Sequence, residues 1–259
     1  MLALLLGEAV ARLIGERPFS VSPPEFELVP DGPLFSVRPT GIYRHAPGAT
    51  EIRLRSGFSW RMTHNEEGLR ITGTNQISGD HNLWLMGCSL THGWSVHDEE
   101  SYPWLVQRVL SNVSVLNGGV SGFGTIHSRL LFHELITTQG KPDVVVYAYG
   151  TFHDLRNTFA RIWQKGFVPN NRLPDLMAPK ATLHEDGTLD YVMREVEYWE
   201  WPMQRASALV HGLERRYNRL EAAGLNSHQV SRELIAQWAG FCLKEEIRFV
   251  VAGISSDAG

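Results

Sequence analysis

The sequence predicts an α/β protein built on a parallel sheet. Three observations carry that expectation. Short apolar runs at 83–86, 113–116 and 143–149 each end in a glycine-rich or polar turn. Segments with helical spacing of apolar residues separate them, and alternating strands and helices give a parallel sheet with helices on both faces. The run at 143–149 is almost unbroken in apolar residues, as a strand buried on both faces requires.

Each element has its own justification. Residues 2–6 are apolar, but the run ahead of Glu8 is far shorter than the ~20 residues that cross a bilayer. No basic stretch precedes it and no small-residue cleavage site follows. Residues 1–16 are therefore read either as an ordinary amphipathic helix or as the tail of a membrane anchor. The second reading makes the protein membrane-anchored or extracytoplasmic; the first leaves it cytoplasmic. Residues 17–80 are rich in Pro and Gly and alternate at 51–55 and 58–62, which reads as an irregular β-rich extension. Residues 81–259 form the α/β unit. In it, 102–110, 126–138 and 154–164 have helical spacing. Residues 166–201 are loop-rich with a hairpin turn at 185–188. Two long helices follow, the second opening with Asn226 and Gln229 at capping-box-like spacing. Residues 247–254 read as a buried strand, and the chain stops five residues later. That stop is read as truncation, and a truncated sheet is expected to leave apolar surface uncovered.

Composition excludes several functions. The 259 residues carry 24 basic and 28 acidic side chains, with no Lys/Arg block. Nucleic acid is thus not an expected partner, because neutralising phosphates takes clustered positive charge. Two cysteines, Cys88 and Cys242, provide neither a disulfide framework nor a cysteine zinc site. No metal site is indicated by His or Glu spacing near the strand ends, and no cofactor is expected.

In open parallel sheets ligands bind beyond the carboxyl ends of the strands. Three such ends stand out. At Gly87-Cys88-Ser89, a serine follows a buried strand, where its hydroxyl can face the crevice and its amide can donate, as a nucleophile with an oxyanion hole requires. A serine there also suits a helix N-cap. At 117–125, closely spaced glycines let the backbone approach a bound group. Oxyanion binding, a phosphate cradle or a plain tight turn would each use them, but no Gly-Lys-Ser/Thr follows. At 150–157, His153, Asp154 and Asn157 offer polar groups, and Asp154 also suits a helix start.

Taken in order, these blocks resemble those of the SGNH/GDSL hydrolase family over about residues 58–254. Gly87-Cys88-Ser89-Leu90-Thr91 is similar to the first block, with Cys88 where the family has Asp. Residues 117–122 are similar to the glycine turn, and 150–154 to the third block. Asn65-Glu66-Glu67-Gly68-Leu69-Arg70 is similar to a stretch that precedes the first block in membrane-anchored members. The resemblance implies a three-layer αβα, flavodoxin-like sheet and a serine esterase without cofactor. Ser89 would attack an acyl or O-acetyl ester of a small molecule, carbohydrate or lipid. The amides of Ser89 and Gly122 would hold the oxyanion. The third donor, an Asn in the family, would fall on Phe152, so His153 and then Asn157 are the expected substitutes. Thr91, His92 and Asp154 are candidate substrate contacts. The family's Asp-x-x-His block has no counterpart here, which leaves His92 or His153 as a borrowed base. It also keeps open a non-catalytic binding domain or an acyltransferase on the same fold.

Overall fold

The computed structural model describes residues 2–21, 26–38, 41–74, 79–167 and 176–254. Its centre is a four-stranded parallel sheet of β6 (His81–Gly87), β7 (Val113–Gly119), β8 (Val144–Tyr149) and β11 (Arg248–Gly253), in the order β7-β6-β8-β11. The register pairs Leu85 with both Asn117 and Val146, and Val146 with Val250. β6 thus lies inside, with the strand that follows it on one side and the third on the other. Trp84, Leu85, Met86 and Gly87 are consecutive and all buried, so β6 is covered on both faces.

Helices α4 (Thr125–Gln139) and α8 (Ser227–Lys244) cover the face that carries Trp84 and Tyr147, which meet Phe132 and Trp238 edge-on or tilted. Leu85 and Val115 point the other way and are also buried, and α3 (Tyr102–Val109) packs against β7. The strand expected at 247–254 forms as β11. Among the described residues it lies at the edge of the sheet, with Val250 and Val251 at 41% and 43% exposure. An apolar run alone does not distinguish a central strand from an edge, because that is decided by which strands pair.

Ahead of this sheet, β1 (Phe26–Val29), β4 (Gly48–Leu54) and β5 (Ser59–His64) form an antiparallel sheet, and β2 (Phe35–Val37) pairs with β3 (Tyr43–His45). The alternation at 51–55 and 58–62 becomes the β4–β5 hairpin. This region shares one continuous apolar core with the parallel sheet, from Leu28, Ile52 and Trp60 through to Tyr147 and Trp238. Arg70 bridges His64 to Asn117 and so ties the two sheets along the backbone.

The helix expected at 154–164 is broken into α5 (His153–Asn157) and α6 (Arg161–Phe167), with Phe159 at φ 61° between them. β9 (Met177–Leu183) and β10 (Leu189–Glu195) form the expected hairpin around 185–188. Asn226 precedes α8 in the left-handed region and makes no side-chain cap bond, contrary to the capping-box reading. Helix α1 (Leu2–Leu13) docks on α7 (Ala208–Gly224) through Glu8, whose carboxylate accepts from Ser207 Oγ and the amides of Ala208 and Leu209. The Ser207 hydroxyl and those two amides hold Glu8 down to about 2. No described helix is long and apolar enough to cross a membrane.

Candidate active site at the strand ends

The sheet order brings the three turns together. Gly87 pairs with Gly119, and Met86 pairs with Tyr147. The turn after β6 is therefore flanked by those after β7 and β8. Glycine is required here because the backbones crowd. A Cβ on Gly119 would strike the amide of His92, and one on Gly87 would strike the Thr91 side chain.

Ser89 opens the short helix α2 (Ser89–His92) and is partly exposed. Cys88, fully buried, holds the cap position, so Ser89 is not the N-cap. Ser89 and Gly122 both line a cavity of about 590 Å³. Gly122 sits at φ +84°, and a side chain there would collide with Phe167 and the Tyr43 hydroxyl. The cavity wall is largely apolar: Phe26, Phe35, Trp60, Trp94, Trp163 and Phe167 contribute to it. Arg156 is the ionisable side chain among the described lining residues; its guanidinium donates to the Phe123 carbonyl at 2.7 Å. No described His, Asp or Glu lines this cavity.

The other expected site residues lie elsewhere. Thr91 is fully buried beneath Gly87 and Gly119, where substrate does not reach. Asn157 is also fully buried. Its amide donates to Thr125 Oγ1 at 3.0 Å and Ser231 Oγ at 2.8 Å, and its carbonyl accepts from Ile126 N. Both amide hydrogens are thus spent on joining α5 to α4 and α8, and none remains for an oxyanion. His153 is buried with Nδ1 2.8 Å from the Tyr147 hydroxyl, which itself donates to Thr125 Oγ1. His153 Nδ1 must then carry the hydrogen, leaving Nε2 bare and unpartnered, so Nε2 has no proton to donate. Burial, and then Arg156, lower its pKa to about 3. Asp154 accepts from the Tyr149 hydroxyl at 2.7 Å and faces His228 Nδ1 at 3.2 Å, lining a separate cavity of about 490 Å³.

His92 is the largest surprise. It is fully buried and meets two other buried histidines, His45 from β3 and His64 from β5. The Nε2 atoms of His64 and His92 lie 2.8 Å apart, with ring centroids 5.1 Å apart and planes within 14°. That is a head-on N–H···N hydrogen bond between nearly coplanar rings. His45 lies against the pair, 4.0 Å from the His92 centroid, with planes within 17° and 3° of theirs. Desolvation is the first cause of low pKa values in all three, which brings His64 to about 3 and keeps His45 and His92 well below the usual imidazole range. Neighbouring imidazoles and Arg70 add to the effect.

Arg70 is buried alongside. It donates to Asp98 Oδ1 at 2.9 Å and to the carbonyls of His92, Gly93, Arg61 and Val96. Asp98 also accepts from the amide and hydroxyl of Thr63. This guanidinium fixes the end of α2, and hence Ser89, against β5. Sequence reasoning marked Arg70 only through its local stretch. It missed the histidine cluster and Arg156, because residues 45, 64 and 92 share no local spacing.

No family model and no curated protein matches this chain. Among solved structures the chain is similar to "AlinE4, a SGNH-hydrolase family esterase", at 17% identity and TM-score 0.29, over 66% of this chain and 75% of that one. Two point mutants of the same esterase match at 16% and 17% identity with TM-scores of 0.30 and 0.29, over the same shares of each chain. Overlap this small carries no argument about activity.

Proposed function

We propose that this chain accepts an ester with an apolar acyl group and transfers that group to Ser89. One observation carries the reading: Ser89 and Gly122, from adjacent strand ends, open into the same aromatic cavity. Ser89 Oγ would bond to the carbonyl carbon as its proton passes to a solvent water in the cavity, which hands it on to the leaving alcohol. The carbonyl π pair would move to oxygen, facing the amides of Ser89 and Gly122. Collapse would break the bond to the alcohol, which leaves with a proton. Water would then free the acid, or a second alcohol would take the acyl group. The lining favours an acyl ester over an O-acetyl carbohydrate, because its polar groups are few.

A second reading rests on its own observation. No described base faces the cavity, and a serine at its ordinary pKa is a weak nucleophile. On that reading the cavity binds an acyl compound without cleaving it. One experiment separates the two. Wild type and Ser89→Ala are compared with a chromogenic short-chain ester and a serine-reactive fluorophosphonate. Turnover and labelling in wild type alone support acyl transfer. Equal turnover by both removes Ser89 from the chemistry. Saturable binding of a fluorescent acyl probe by both proteins, with no turnover by either, establishes the binding domain.

A further inference from the structure

We propose that His45, His64 and His92 hold one borderline divalent transition-metal ion, of the Zn²⁺, Co²⁺ or Ni²⁺ class, beneath the turn that carries Gly122. The three rings come from β3, β5 and α2, and one nitrogen from each lies within 4.8 Å of the others. Burying a polar nitrogen is costly unless it is partnered. Nε2 of His64 and Nε2 of His92 have only each other as partner, so a single buried hydrogen stands between two nitrogens that a cation could bridge.

The donor set selects the ion. Three imidazoles with no carboxylate suit borderline metals and not Ca²⁺ or Mg²⁺, which demand oxygen. Asp98, held by the same Arg70 that meets the His92 carbonyl, is engaged by Arg70 and Thr63. Tetrahedral coordination at about 2.0–2.1 Å per nitrogen sets adjacent ligands about 3.3 Å apart. The His64–His92 pair must therefore open slightly from 2.8 Å, and the ion takes the place of the hydrogen between them, which moves to Nδ1 of its own ring. His45 must turn, because its plane is parallel to theirs. Its Nε2 accepts from the Ser121 amide at 3.3 Å, so turning it releases that amide. Ser121, whose amide meets His45, also carries a buried, unpartnered hydroxyl that would supply the fourth donor. Metal loading thus reaches the 120–122 turn, and with it the wall of the Ser89 cavity.

The test needs no substrate. The full chain is unfolded, stripped with chelator and refolded with Co²⁺ or Zn²⁺, then passed through gel filtration and measured for bound metal and for visible d–d absorption. About one retained equivalent, with the intense bands of tetrahedral Co²⁺, is expected. His64→Asn and His92→Gln should retain almost none, whereas Ser89→Ala and His133→Gln should match wild type. Circular dichroism checks that each variant is folded. Wild type that folds and retains no metal, or cluster variants that fold and retain as much as wild type, would overturn the proposal.

Discussion

Acidification is expected to unfold this protein through two buried histidines outside the metal-candidate cluster, His127 and His153. Both are wholly buried, and burial, followed by Arg156, lowers each from 6.5 to about 3. His127 Nδ1 accepts from the Gly124 amide, so the ring's hydrogen sits on Nε2, which has no partner. The sign is fixed by linkage. The unfolded chain takes up a proton near 6.5 while the folded protein does not, so stability is full above that pH. It falls as pH drops toward 3. Between about pH 7.5 and 5, each ring removes ~2 kcal/mol, or ~4 kcal/mol for the two. A domain's whole stability is about 5–15 kcal/mol, so this is a large share. Urea unfolding followed by circular dichroism measures it across that range. His127→Asn keeps an acceptor for Gly124 but cannot titrate, and should lose ~2 kcal/mol less than wild type over the interval. If the variant's stability falls as steeply with pH as the wild type's, the neutral-burial reasoning is wrong.

Asn157→Ala should cost about 1–3 kcal/mol, because it leaves the buried Ile126 amide without its acceptor and removes the donor shared by the Thr125 and Ser231 hydroxyls. Labelling of Ser89 in the folded variant should persist, and its loss would return Asn157 to the oxyanion site. Arg70→Met should cost about 3–5 kcal/mol in urea unfolding, since it removes the buried cation paired with Asp98 and a donor from four backbone carbonyls. A cost below about 1 kcal/mol would show that solvent replaces the guanidinium, as at surface pairs.

The local sequence determined the elements and the place to look. Apolar runs at 83–86 and 143–149 became β6 and β8, the alternation at 51–62 became the β4–β5 hairpin, and the 185–188 turn joined β9 to β10. Ser89 and Gly122 were legible because a strand-end serine and a crowded glycine turn are signals written in a few consecutive residues. Tertiary structure decided which polar groups are free. Asn157 and His153 sit in the right turn, yet their N–H hydrogens are committed to Thr125, Ser231 and Tyr147, partners from other elements. It also decided that β11 pairs with β8, and that His45, His64 and His92 meet. Periodicity reports which face of an element is apolar. It does not report which faces come together, and burial, donor supply and imidazole charge all follow from that meeting.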